Sequence, residues 1–258
     1  MRRLVTIPIS HFCEKARWAL ERAKLDYVEE RHVQGVHQVV ARRAGGGTTV
    51  PVLVAEDRVL ADSEQILLFA DERLDEQRRL FPSEPRLRDE VVELCRRLDE
   101  GLGPDGRRLM YAHMLELKQL MLRFNNQGVP AWEGRLMTAL WPLATRWGRR
   151  ELGIGPDTIR EDEPRVWRAF DEVAGRLADG RPHLCGERFT AADLTFACLA
   201  AAVLVPPQYG VRLPQPEELP GPLARDIRAF REHPAGAYAL ELFRSERSGS
   251  RPSVPGSR

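Results

Sequence analysis

The chain has 258 residues, which suffices for one large domain or two modest ones. Its 39 lysines and arginines nearly balance its 38 aspartates and glutamates, so it lacks the basic excess expected of a protein whose main partner is nucleic acid. A hydrophobic content of 43% with 30% charged residues excludes a wholly disordered chain.

Strand and helix patterns alternate over residues 1–78. The elements predicted there are, in chain order, a strand at Arg3–Ile7, a helix after Ser10, a strand at Tyr27–Val33, a short helix at Val36–Arg43, a hairpin of Val50–Val54 with Arg58–Ala61, and a helix over Ile66–Leu74 that Asp62-Ser63 begins. This βαβα–ββα order predicts a small α/β domain with a mixed sheet.

After Leu74 the strand patterns stop. The stretch 75–89 is charged and contains two prolines, so we predict domains at 1–78 and 89–244 joined by a linker at 79–88. Residues 245–258 are rich in Ser, Gly, Pro and Arg, which predicts a disordered tail. The second domain is predicted to be all-helical, with a break across Gly103–Gly106 and helices at Leu87–Leu102, Leu109–Phe124, Ala131–Glu151, Pro164–Leu177, Ala191–Val205, Arg225–Arg231 and Gly236–Phe243.

Membrane, secretory and metal-binding signals are weak. The apolar stretch Leu4–Ile9 is too short for the core of a signal peptide, and the longest apolar run, Leu194–Val205, is too short to span a bilayer. These features predict a cytoplasmic protein without a membrane partner. The cysteines lack disulfide-like or zinc-like spacing, so we expect neither a disulfide framework nor a metal site at Cys13, Cys95, Cys185 and Cys198.

Four segments point to one family. They are Ser10–Leu20, Thr49–Leu53, Asp62–Ile66 and Phe189–Thr195. In this order they resemble the first helix, the turn before the third strand, the next helix start and the second-domain capping motif of soluble glutathione transferases. The resemblance implies a thioredoxin-like N-terminal domain, an all-helical C-terminal domain, a homodimer and a role in detoxification.

Ser10 stands at the start of a predicted helix, where free N–H groups and the helix dipole favour negative charge. A hydroxyl there can donate to a sulfur and stabilise a thiolate. Resemblance to the serine-type classes of the family implies that Ser10 is the catalytic residue that activates glutathione. Its alternative role is that of a simple helix N-cap.

The other glutathione-binding residues follow from the resemblance. It implies a cis proline at Pro51, main-chain pairing of Val50 with the cysteinyl unit, and binding of the γ-glutamyl end by Asp62 and Ser63. This chain departs from the usual pattern, because Asp62 replaces Glu or Gln and Thr49 replaces a lysine that often precedes the Val-Pro pair. The pair Arg42-Arg43 is a weak candidate for the glycyl carboxylate, and a solvated charge pair is its alternative role.

Two residues beside Ser10 are secondary candidates. Ser10 and Cys13 have the spacing of a glutaredoxin C-x-x-C motif in which the first cysteine has become serine, so reductase chemistry is disfavoured. Cys13 is then a mildly reactive thiol or, with stronger support, a buried structural cysteine. His11 stands where many relatives have proline, and is a site-tuning residue or an exposed loop histidine.

A second substrate is expected between the domains. Methionines and aromatic residues make adaptable apolar pockets, and one predicted helix carries four candidates. They are Met110, Tyr111, His113 and Met114, with Trp141 and Tyr209 as weaker ones and plain core packing as the alternative.

The leading prediction is a glutathione S-transferase-like enzyme that has no tightly bound cofactor and joins glutathione to an apolar electrophile. The alternatives are a non-catalytic thiol-binding or structural protein of the same fold, and a glutathione-dependent isomerase or dehalogenase. Only Lys15, Lys24 and Lys118 are lysines, a skew that points to a GC-rich bacterial genome. If the source is such a bacterium, another low-molecular-weight thiol is an alternative to glutathione, which leaves the identity of the thiol open.

Overall fold

We describe residues 1–247 of the protein in a computed structural model; residues 248–258, most of the predicted tail, lie outside the described residues. The first part of the chain forms a four-stranded sheet with three helices. These elements are β1 (Arg2–Thr6), α1 (His11–Arg22), β2 (Tyr27–Arg31), α2 (Val36–Arg43), β3 (Val52–Val54), β4 (Val59–Leu60) and α3 (Ser63–Asp71).

The sheet has the strand order β2-β1-β3-β4, with β1 parallel to β2 and antiparallel to β3. Side chains alternate between its two faces, as the period of two in a strand requires. Leu4 of β1 and Leu53 of β3 pack on one face against α1 and α3. Val5 and Val52 pack on the other face against α2. The predicted mixed α/β fold is confirmed.

Beyond β4 the described chain is helical apart from an isolated bridge between His183 and Gly186. At its centre lies α10, almost wholly buried and begun by a capping box of Thr190 and Asp193. The α-helices of this part are α4 (Pro85–Glu100), α5 (Leu102–Met114), α6 (Lys118–Asn125), α7 (Ala131–Ala139), α8 (Trp141–Leu152), α9 (Thr158–Leu177), α10 (Ala191–Leu204), α11 (Gly221–Glu232) and α12 (Pro234–Ser245).

The connection between the two parts is well packed. Leu80 and Phe81 are buried, and their N–H groups donate to the Asp71 carboxylate at 2.5 and 3.3 Å. The Leu80 carbonyl accepts from the N–H of Ala191, the first residue of α10, at 2.8 Å. Helix α4 already begins at Pro85, inside the stretch 79–88 that was predicted to be a linker.

The predicted break across Gly103–Gly106 is wrong, because α5 runs through it. A Cβ on Gly103 would lie 2.7 Å from the Phe12 ring, whereas a Cβ on Gly106 would meet α10 at an ordinary contact distance of 3.7 Å. Tertiary packing of the glycine face therefore overrides low helix propensity, while Pro104 is tolerated in the first turn. Two predicted long helices are instead interrupted, after Met114 and at Leu140.

Candidate active-site cleft

A cleft of about 260 Å³ lies between the two parts of the chain. On one side it is lined by the end of β1, the start of α1 and the segment before β3, including Ile9, Ser10, His11, Gln34, Thr49 and Val50. On the other side it is lined by α5 to α8, including Arg107, Tyr111, Leu115, Met121, Trp141 and Trp147.

Ser10 is the N-cap of α1 and lines this cleft. Its Oγ accepts a hydrogen bond from the Cys13 N–H at 3.4 Å, and its own N–H donates to the Ile7 carbonyl at 3.2 Å. Because the oxygen acts as an acceptor toward the helix, the hydroxyl proton is free for a ligand. The residue can therefore cap the helix and donate into the cleft at the same time.

The loop before Ser10 is held by a buried arginine. The Arg17 guanidinium donates to the Pro8 carbonyl at 3.0 Å and to the carboxylates of Glu14 and Glu29 at 3.2 and 2.7 Å. Burial opposes ionisation of Glu29, but Arg17 and Arg31 outweigh it and lower its pKa to about 2. Buried charge pairing thus positions the turn that carries Ser10.

The peptide bond between Val50 and Pro51 is cis, as the resemblance implied. Val50 lines the cleft, whereas Pro51 is buried behind it. The pairing of β3 with β1 begins at Val52. Val50 therefore stands at the cleft edge just before the ladder begins.

Asp62 and Ser63 lie outside the lining of the cleft. Asp62 is exposed and caps α3 by accepting from the Gln65 N–H at 2.8 Å, while Ser63 is buried. Arg42 and Arg43 are exposed at the end of α2 and do not line the cleft either. The structure thus brings Ser10 and Val50 together but sets the charged candidates apart from them.

His11 and Cys13 are both buried, so the loop position suggested for His11 is wrong. Burial, with the nearby Arg107 cation, lowers the pKa of His11 to about 3, so the ring is neutral at physiological pH. Burial raises the pKa of the Cys13 thiol to about 11, although Arg17 and Ser10 oppose the shift. Cys13 is fully inaccessible and does not line the cleft, which matches a structural cysteine.

The candidates for the second substrate divide between two cavities. Tyr111 lines the main cleft, and its hydroxyl accepts from Gln34 Nε2 at 3.0 Å; Trp141 lines the same cleft. Met110 and Met114 line an adjoining cavity of about 70 Å³, which Tyr111 and Tyr209 also border. His113 lines neither of these cavities.

Sequence reasoning missed Arg107, which lies one helical turn before Tyr111 and lines both cavities. It was overlooked because it belongs to an Arg-Arg pair in an arginine-rich chain. The available signal was the spacing of four residues from Tyr111, which places both side chains on one face of α5. Arg108 lies on another face and pairs with Asp105 and Asp162.

Residues 1–247 hold neither a metal-binding cluster nor a membrane-crossing helix. No group of three or more His, Cys, Asp or Glu side chains there is arranged to hold a metal ion. No helix in the same residues combines the length and apolar character needed to cross a membrane.

Fold and cleft together define a thioredoxin-like domain joined to a helical domain, with a ligand cleft between them. The model of the glutathione S-transferase N-terminal domain matches residues 4–78, and that of the C-terminal domain matches residues 156–233. The two matches together span more than half of the chain. The chain belongs to the glutathione S-transferase family.

Solved structures give the same fold. A glutathione S-transferase from Rhodospirillum rubrum F11 is 21% identical, with 93% of this chain and 92% of that chain covered and a TM-score of 0.56. Glutathione transferase GSTFuA3 from Phanerochaete chrysosporium is 18% identical, with coverage of 96% and 98% and a TM-score of 0.62. The β-etherase LigF from Sphingobium sp. strain SYK-6 is 16% identical, with coverage of 93% and 98% and a TM-score of 0.58. No curated protein sequence matches this chain.

Proposed function

We propose that the protein is a serine-type glutathione transferase, in which Ser10 activates the thiol of glutathione for attack on an electrophile. One observation carries the proposal: the Ser10 hydroxyl at the start of α1 and Val50 before β3 line a single cleft. The opposite wall is built largely from apolar side chains, which suits an apolar second substrate.

The chemistry required of Ser10 is modest. A thiol with an ordinary pKa of ~8.5 is only about 3% ionised at pH 7. Lowering that pKa by about two units needs ~2.7 kcal/mol. A hydroxyl donor to the sulfur, together with the N-terminal end of α1, is of the right size to supply it. The sulfur then attacks the electrophile and the leaving group departs with its electron pair.

We propose that glutathione extends from Ser10, past Val50, toward the start of α3. The cysteinyl main chain would pair with Val50 as an added strand. Asp62 and Ser63 would receive the γ-glutamyl end; Asp62 is exposed and uses its Oδ1 for the helix cap, which leaves Oδ2 for the ammonium. A similar solved structure, a glutathione S-transferase from Methylobacillus flagellatus kt, has glutathione bound.

Calorimetric titration with glutathione and a steady-state conjugation assay test the proposal. We expect Ser10→Ala to lower turnover by roughly 10²-fold, because removing one donor to a developing or stabilised anion has an effect of that size. Ser83→Ala is the matched control, since Ser83 is exposed and lies outside the cleft. Unchanged turnover in Ser10→Ala would remove Ser10 from the mechanism.

The same experiments separate the alternatives. Absence of heat and of a thermal shift with glutathione would favour a non-catalytic protein of this fold, or one that uses another small thiol. Glutathione binding with turnover of a halogenated or isomerisable substrate, but no stable conjugate, would favour a dehalogenase or isomerase. A dehalogenase or an isomerase would use the same thiolate as the transferase and would differ from it only in the pocket for the second substrate. The homodimer, the cytoplasmic location and the bacterial source remain predictions.

A further inference from the structure

Arg107 differs from its neighbour Arg108 in having no partner among the described residues. Within residues 1–247 it makes no ion pair and no hydrogen bond, and its Nε is buried without an acceptor. Arg108 shows the usual arrangement, with its guanidinium 2.5 Å from Asp162 and 2.9 Å from Asp105. Arg107 as a whole is half-buried, and its guanidinium has no carboxylate among the described residues to neutralise it, so its charge is available to an anion that enters the cleft.

The groups around Arg107 supply little negative charge. Burial lowers the pKa of its guanidinium, the Tyr111 phenol partly opposes this, and the Arg108 cation adds to it. His11 stands beside it as a neutral ring, and its Nε2 is buried without a partner. Among the described residues, Glu151 is the one acidic side chain in the lining of the main cleft, on α8, where it is exposed.

The rest of this wall is mainly apolar and aromatic, with Asn125 and Thr145 as polar members besides Glu151. Leu115, Met121, Trp141 and Trp147 line the main cleft on the same side as Arg107. The Tyr111 hydroxyl accepts from Gln34 and keeps its proton for donation. A cation and a hydroxyl donor one helical turn apart, set in an apolar wall, are complementary to a carboxylate on an apolar body.

We propose that Arg107 makes the cleft selective for electrophiles that carry a carboxylate on an aromatic or otherwise apolar body. The guanidinium binds the carboxylate, Tyr111 donates a second hydrogen bond, and the apolar body packs between Trp141 and Met121. This inference rests on the proposed function, because it assigns the bound acid as the second substrate of the same thiol transfer.

The test compares two electrophiles that share one reaction. The neutral probe is 1-chloro-2,4-dinitrobenzene and the anionic probe is 4-chloro-3,5-dinitrobenzoate; in both, the glutathione sulfur displaces chloride from the ring. Each kcat/KM is divided by the uncatalysed rate constant at the same pH, which removes the difference in intrinsic reactivity. We expect Arg107→Met to lower the ratio of anionic to neutral kcat/KM by at least ~10-fold, the size expected for a charge-assisted hydrogen bond.

Two further variants sharpen the result. Arg107→Lys keeps the charge but not the two-pronged geometry, so it should retain part of the selectivity. Arg150→Met removes one positive charge from an exposed position of α8 outside the cleft lining, and should leave the ratio unchanged. An equal loss of kcat/KM with both probes in Arg107→Met would mean that Arg107 acts on the thiolate. Unchanged kcat/KM with both probes would mean that it acts on neither the thiolate nor the electrophile. Both outcomes overturn the proposal.

A binding experiment keeps the inference separable from the proposed enzymatic activity. Titration of wild type with 2-naphthoate and with the neutral 2-naphthamide should give at least ~10-fold tighter binding of the acid, and Arg107→Met should abolish that difference. If glutathione neither binds nor reacts while the naphthoate preference persists, the proposed function fails and the acid site stands. Equal affinity for the acid and the amide overturns the acid site whatever the thiol chemistry.

Discussion

The two walls of the cleft present different kinds of chemical group to a ligand. The wall from the first domain offers the Ser10 hydroxyl and the chain around Val50, both placed by caps, turns and a buried charge cluster. The wall from the helical domain offers long side chains, among them Arg107, Tyr111 and Trp141. The first wall is suited to a ligand that is always the same. The second wall can be adapted to different ligands by exchange of its side chains.

Under the proposed function, this difference would assign thiol activation and recognition of the second substrate to different parts of the molecule. A residue that positions backbone should matter for stability and for every substrate. A residue that only contributes a side chain to the helical wall should alter the choice of substrate with little effect on folding. The following variants probe where that division breaks down.

The largest effect is expected at the charge cluster below Ser10. Arg17→Met leaves the buried Glu14 and Glu29 carboxylates without this cation. Breaking a buried pair costs about 3–5 kcal/mol of unfolding free energy, which is the upper bound here because Arg247 still pairs with Glu14 and Arg31 with Glu29. Urea unfolding measures the loss. The control is Arg96→Met, whose pairs with Glu93 and Glu100 are exposed and screened by solvent, so its unfolding midpoint should barely move. Equal losses in the two variants would contradict the structural role of Arg17.

The contact between the walls at Gly103 should have the next largest effect. A methyl group added there would meet the Phe12 ring, so Gly103→Ala should lower the unfolding free energy by about 1–3 kcal/mol. Gly175→Ala is the matched control at an exposed position of α9, where a Cβ meets open space. Its unfolding free energy should rise by up to about 1 kcal/mol through helix propensity. Thermal and urea unfolding of both variants check the pair, and a neutral Gly103→Ala would show that the walls are loosely joined.

His11 should make stability depend on pH. Its pKa is lowered from 6.5 to about 3, so below pH 6.5 the unfolded chain binds a proton that the folded chain does not. Stability from this group is therefore complete above pH 6.5 and falls by up to about 1.4 kcal/mol per pH unit below it, until about pH 3. Urea unfolding at pH 7, 6 and 5 should give a shallower loss for His11→Gln than for wild type. Parallel curves would show that the ring is accessible to protons in the folded state.

Cys13 should have the smallest effect on catalysis. With a pKa near 11 and no accessible surface, it supplies no thiolate at pH 7, so Cys13→Ala should keep the conjugation rate of wild type. A thiol reagent should label native protein slowly, because the four cysteines are buried. A reductase activity that disappears in Cys13→Ala would instead restore the glutaredoxin-like interpretation of the Ser10–Cys13 spacing.

The first domain could be predicted from sequence because its signals are local. Helix α2 lies at Val36–Arg43 as predicted, and Ser10 and Asp62 cap the helices that they were expected to begin. Short β-rich runs bounded by turn residues predicted the strands of the mixed sheet. The family motifs add Val50 and Pro51, which no periodicity would have distinguished.

The helical wall was harder to predict because its decisive features depend on tertiary contact. Gly103 is a helix breaker by composition and a close-packing residue in the structure, where a Cβ would force the Phe12 ring to shift. Arg107 and Arg108 are adjacent and identical in sequence, yet Arg108 is paired with acids and Arg107 is left in the cleft. Only the fold decides which of the two has a carboxylate within reach.

The junction between the domains at Leu80 has a consequence for how ligands enter and leave the cleft. Asp71 holds the N–H groups of Leu80 and Phe81, and Leu80 holds the start of α10, so the two domains share hydrogen bonds at the point where a hinge would have to bend. Helix α8, by contrast, has no fully buried residue although it covers one side of the cleft. Ligands are therefore expected to enter and leave on the α8 side, by local opening of the outer helices, while the junction between the domains stays rigid.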